Sequence, residues 1–128
     1  MKITSPISSG ELVDKLSILQ IKLQKITDAK KLKSVTEEHS LLKKLADKHL
    51  TGYTKYPERL NELFAVNNHL WEVEDQLRKK ESLKQFDKKF TQLARLVYIL
   101  NDARFEVKNK INSETNSTVL EQKSYTSY

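Results

Sequence analysis

The chain has 128 residues, no cysteine, and 23 basic against 17 acidic residues, a formal net charge of +6. Without cysteine, disulfide scaffolds, thiolate zinc sites, iron–sulfur clusters and cysteine nucleophiles are excluded, and the length fits one domain, residues 1–128, with a core of its own. The charge invites a nucleic-acid reading, but 19 of the basic residues are lysine, only 4 are arginine, and all are interspersed with acids, which describes a solvated surface better than an arginine cluster that reads base edges.

Two glycines and two prolines in the whole chain point to long helices with few interruptions. Residues 1–7 form an arm with one lysine and no apolar run, unlike a secretory signal. No stretch reaches the ~18 apolar residues of a membrane span, so the expected setting is the cytoplasm, away from membranes. Helix one opens at Ser8 with Glu11 three residues on, the pattern of a capping box, and Ile7 is set to staple onto Leu12. Its stripe is Leu12, Leu16, Leu19, Leu23 and Ile26, while Val13, Ile18 and Ile21 lie off it. A helix apolar on several sides touches several partners, which makes a homodimer one expectation.

Lys30 to Lys33 reads as a connection, with helix two starting at a second capping pair, Ser34 and Glu37. Val35, Leu41, Leu42 and Leu45 would supply its apolar face, and Gly52 would end it. Tyr53 to Tyr56 is a loop whose tyrosines beside Lys55 could stack on a base or sugar. Pro57 suits the first turn of helix three, which runs to about Glu81. A short link near Ser82 leads into helix four, from Leu83 or Gln85 to about Ile111. Two long helices with a short link make an antiparallel hairpin. The expected fold is therefore all-α, an antiparallel bundle of about four helices with the third and fourth as its spine. A polar tail, residues 113–128, is either mobile or docked through Val119, Leu120 and Tyr125.

At 100° per residue, Leu60, Leu63, Val66, Leu70, Val73 and Leu77 form one arc of helix three, and Asn67, Glu74 and Glu81 fall inside it. On helix four the arc is Phe86, Phe90, Leu93, Val97, Leu100, Val107 and Ile111, with Arg104 at its centre and Asn101 and Lys108 at one edge. Buried charges must be paired or neutralised. Asn67 and Glu81 are thus candidates for a structural polar layer that fixes register. Glu74, Asp75, Asn101, Arg104 and Lys108 are candidates for a ligand pocket between helices. At 1.5 Å rise per residue, Glu74 and Arg104 stand roughly 15 Å apart along the hairpin, which sends Arg104 towards the start of helix three, helix one or a second subunit.

The acid pairs Glu11/Asp14 and Glu72/Asp75 could hold Mg²⁺ only if they converged, and the wheels turn Asp14 and Glu72 towards solvent. His39, His49 and His69 lack metal spacing, and no glycine-rich phosphate loop or other cofactor motif is present. The expectation is no metal and no cofactor.

Three segments carry a resemblance: Ser5-Pro6 with Gly10-Glu-Leu-Val-Asp-Lys-Leu-Ser-Ile-Leu19; Leu70-Trp-Glu-Val-Glu-Asp75 with Arg78 and Glu81; and Leu93-Ala-Arg-Leu-Val-Tyr98 with Asn101-Asp102, Arg104, Lys108, Ile111-Asn112, Glu121 and Lys123-Ser-Tyr125. Together they resemble a small all-helical bacterial and phage family catalogued as domain of unknown function 6165. The resemblance implies a fold and no activity. Its motif includes Glu74, Glu81, Asn101, Arg104 and Lys108, and adds Asp14, Lys15, Asp75 and the tail Lys123-Ser-Tyr125, which implies that the tail docks. With no catalytic signature, the first functional expectation is a non-enzymatic binding or adaptor protein working on a protein partner or a second copy. The alternatives are an enzyme or sensor for a small anionic metabolite, a nucleotide or nucleotide sugar, and a weak nucleic-acid binder.

Overall fold

The computed structural model describes residues 1–128 and contains four helices and no strand: α1 (Ser9–Lys25), α2 (Ala29–His49), α3 (Tyr56–Ser82) and α4 (Lys88–Glu114). They form the expected helical bundle. The α3–α4 hairpin is its spine, α1 packs against all three other helices, and α2 packs against α1 alone. No helix is long and apolar enough to cross a membrane.

Each helix start has a local cause. Ser8 caps α1, its Oγ accepting the Glu11 N–H at 3.0 Å. Helix α2 begins earlier than expected, because Asp28 caps it and accepts the Lys31 N–H at 2.9 Å. An aspartate cap needs no downstream Ser34, so Lys30 to Lys33 are helical rather than a connection. Helix α2 ends near Gly52, whose φ of +85° suits the turn, and Pro57 lies in the first turn of α3. The α3–α4 link is longer than expected. Asp87 caps α4 through the Phe90 N–H at 2.9 Å, and Lys80 grips the same carboxylate at 2.9 Å.

The core joins Leu12, Val13 and Leu16 of α1 to Ala46 and Leu50, Leu63 of α3, and Val107 and Ile111 of α4. Tyr53 and Tyr56 pack against this cluster, and the Tyr53 hydroxyl donates to Glu114 at 2.6 Å, so neither tyrosine is a free stacking platform. The apolar surplus on α1 is consumed inside the chain by three neighbours, and the inference from it to a second copy loses its basis. On α2, Leu41 is 44% exposed, since only the side facing α1 is covered.

Helix length explains the other departures. At 1.5 Å per residue α1 spans about 25 Å and the hairpin helices about 40 Å, from 17 and 27 residues. The tip of the hairpin has no third layer. Leu83 (65%) and Phe86 (57%), the latter expected inside, are therefore exposed, and Glu81 is exposed at the end of α3, part of no polar layer.

Candidate functional site

The most buried charge in the protein is Asp14, at 0% exposure. On α1, Gly10, Asp14, Ser17 and Ile21 follow one another at helical spacing and form a second stripe that faces α3 and α4. Gly10 sets the approach. Its N–H donates to Asn112 Oδ1 at 2.7 Å, and a Cβ there would stand 2.4 Å from the Lys108 carbonyl oxygen. The contact is possible only without a side chain.

The close approach brings Asp14 against two helices. Arg104 on α4 donates from Nε to Oδ1 at 2.9 Å and from Nη2 to Oδ2, a side-by-side fork. Asn67 on α3 donates from Nδ2 to Asp14 Oδ1 and to Ser17 Oγ, both at 2.8 Å. Ser17 Oγ donates in turn to the Asp14 carbonyl at 2.7 Å. Three donors on one carboxylate offset its burial. The hydrogen bonds to Asp14 also hold the Arg104 pKa above its ordinary value. The expectation that Asp14 is solvated was wrong: the wheel placed it away from the main leucine stripe, and the side on which it lies, with Ile21, is buried against α3 and α4. Asn67 does lie in a polar layer, whose partner is Asp14 rather than Glu81.

One turn along α4, the Lys108 ammonium is 6% exposed and lies between Glu11 Oε2 at 2.7 Å and Glu121 Oε2 at 2.6 Å. Burial works against its charge, yet the bonds to Glu11 and Glu121 outweigh burial and raise its pKa. The tail then folds back over α4. Lys123 Nζ reaches Asp102 Oδ1 at 2.6 Å and the Tyr128 hydroxyl donates to Asp102 Oδ2 at 2.7 Å. Those bonds, Lys123 first, lower the Asp102 pKa. The tail is docked, but by charge. Leu120 and Tyr125, expected as anchors, are 57% and 84% exposed.

Two open clefts flank Arg104. One, of about 720 Å³ between α4 and the tail, is lined by Asn101, Arg104 and Lys108 together with Tyr98, Phe105, Lys123 and Tyr125. The other, of about 520 Å³ between α1, α3 and α4, is lined by Asn101 and Arg104 with Glu74, Asp75, Arg78 and Trp71. Asn101 and Arg104 form the wall between them. Glu74 and Asp75 thus share a cleft with Arg104 without bonding to it; they pair along α3, with Arg78 at 3.8 Å and Lys79 at 3.1 Å. No three His, Asp or Glu side chains gather where they could hold a metal ion. Of the residues that the wheels missed, Glu11, Asp14 and Glu121 are partners of Lys108 or Arg104, while Asp102 and Lys123 pair with each other.

The sequence matches one family model, over residues 1–128. The chain belongs to the family of unknown function DUF6165. No curated protein and no solved structure matches it. DUF6165 is a family of unknown function, so the chemistry of this network rests on its geometry.

Proposed function

We propose that this protein binds a small anionic ligand in the cleft between α4 and the C-terminal tail. One observation carries the reading. Arg104 is clamped by a fully buried carboxylate, while its Nη1 group makes no hydrogen bond and the side chain, 28% exposed, lines the cleft. A guanidinium fixed in orientation with free donors on its outer edge is suited to a carboxylate or phosphate. Lys108 adds positive charge, Asn101 can orient a polar group, and Tyr98 and Phe105 offer faces for a ring or sugar. A nucleotide or nucleotide sugar fits that combination. The cleft's own carboxylates are engaged: Asp102 accepts from Lys123 and Tyr128, and Glu121 is ion-paired with Lys108. With no free base among them, the reading is binding rather than a reaction.

The test is a thermal-shift series with a nucleoside monophosphate, a nucleotide sugar and inorganic phosphate. A ligand at 100 times its Kd stabilises by about 2.7 kcal/mol. Stabilisation of the wild type that is lost in Arg104→Lys, which keeps the charge and removes the fork, supports the reading. No stabilisation by any of the three overturns it. A second reading, a protein-binding adaptor or homodimer, draws on the exposed Leu83 and Phe86 at the hairpin tip and on Leu41 and Leu45 of α2. Sedimentation at micromolar concentration tests for the second copy, and a monomer at all concentrations removes that version.

A further inference from the structure

Lys108 has two carboxylate partners of different kinds. Glu11 belongs to α1 and is fixed by the packing of that helix. Glu121 belongs to the segment after α4, which has no helix or strand. The last backbone hydrogen bond that holds this segment to the bundle runs from Ser117 N–H to the Asn112 carbonyl at 2.9 Å. Beyond it, residues 118–128 are held to the bundle by side chains: Glu121 on Lys108, Lys123 and Tyr128 on Asp102, an edge-on contact of Tyr128 with Tyr98 at 5.1 Å, and Lys123 over the Phe105 ring at 4.9 Å. Such a segment can leave without breaking any secondary structure. If it leaves, Lys108 keeps Glu11 and is not stranded as an unpaired buried charge.

We infer that Glu121 occupies the place of the ligand's anionic group, and that residues 118–128 form a strap which the ligand displaces from Lys108. The inference rests on the binding reading above and sharpens it. Arg104, Lys108 and Lys123 face the four carboxylates Glu11, Asp14, Asp102 and Glu121. At Lys108 the exchange is one anionic group for the Glu121 carboxylate, and Lys123 leaves with the strap, whereas a triphosphate would bring further negative charge that no cation here offsets. The ligand class is therefore a molecule that presents one carboxylate or one phosphate group to Lys108. Because the closed strap and the ligand compete for one ammonium, apparent affinity falls by the fraction of molecules that are open.

The experiment uses the full chain and follows tryptic cleavage after Lys123 by mass spectrometry, with and without inorganic phosphate or adenosine monophosphate. Sodium chloride at matched ionic strength is the control, since screening alone weakens an ion pair. Glu121→Gln keeps the side-chain shape and removes the charge. The expected result is cleavage about tenfold faster in Glu121→Gln without any ligand, affinity for adenosine monophosphate raised by about the same factor, and faster wild-type cleavage on adding the anion. Cleavage and affinity equal in wild type and variant overturn the strap and leave the binding reading standing. Faster cleavage in the variant, with neither anion bound by either protein, overturns the stand-in role and the binding reading together.

Discussion

Two arginine–carboxylate forks tie α4 to the rest of the chain, and they differ in which partner is saturated. Near the end of α4, Arg59 donates from Nε and Nη2 to Glu114 and from Nη1 to Glu62, so every nitrogen of its guanidinium is engaged. Glu114 also takes Tyr53 and Lys55. At mid-helix it is the acid, Asp14, that is saturated and sealed, while Arg104 keeps an unpartnered nitrogen beside a cleft. The same pairing chemistry gives a closed staple in one place and an open receptor in the other. What separates them is donor capacity left over, not the strength of the pair.

The comparison breaks first at Arg104. Replacing it with Met strands a buried Asp14 carboxylate, which costs about 3–5 kcal/mol and shows as a large fall in Tm at pH 7. An unchanged Tm would mean that Asp14 reaches water. Gly10→Ala comes next. A methyl at 2.4 Å from the Lys108 carbonyl forces α1 away from α4, at about 1–3 kcal/mol by the usual cost of overpacking, and denaturant unfolding measures it. A loss near zero would show that the helices are free to part.

The closed staple predicts a pH effect. Hydrogen bonds from Arg59 first, then Tyr53, hold the Glu114 carboxyl well below its ordinary value of 4.5. A depressed pKa contributes stability above the unfolded value and loses it as pH falls through the folded one. Tm should therefore drop as pH falls below about 4.5, and Glu114→Gln should flatten that part of the curve; an unchanged slope assigns the acid sensitivity elsewhere. The smallest effect belongs to Asp102→Asn, which frees Lys123 and Tyr128 at the exposed surface. Tm should hardly move, as for other surface pairs, while chymotryptic cleavage after Tyr125 accelerates. A marked loss of Tm would make the tail part of the core.

Legibility followed the reach of local chemistry. Ser8, Gly52 and Pro57 act within a few residues, and the boundaries that they set could be read directly. Asp28 acts just as locally, but Ser34 offered a competing cap, and sequence has no measure of which cap wins. For the site, the wheels found Asn67, Asn101, Arg104 and Lys108 by their misfit with an apolar arc. They missed Asp14 because it lies away from the leucine stripe, and a polar residue outside the main arc reads as solvated. The signal was present in Gly10, Asp14, Ser17 and Ile21 at spacings of four, three and four. Glu81 misled for the opposite reason: it fits an arc that has no partner at that height.

Period, caps and composition alone determined four long helices, an antiparallel hairpin and a set of polar residues on the wrong faces, because those depend on interactions a few residues apart. Only the tertiary structure decided which acid meets which cation. Asp14 and Arg104 are ninety residues apart, Lys108 and Glu11 nearly a hundred, and their meeting depends on a glycine that lets two backbones touch and on a first helix shorter than the hairpin it covers. No periodicity along one helix carries the length of its neighbour or the distance between their axes.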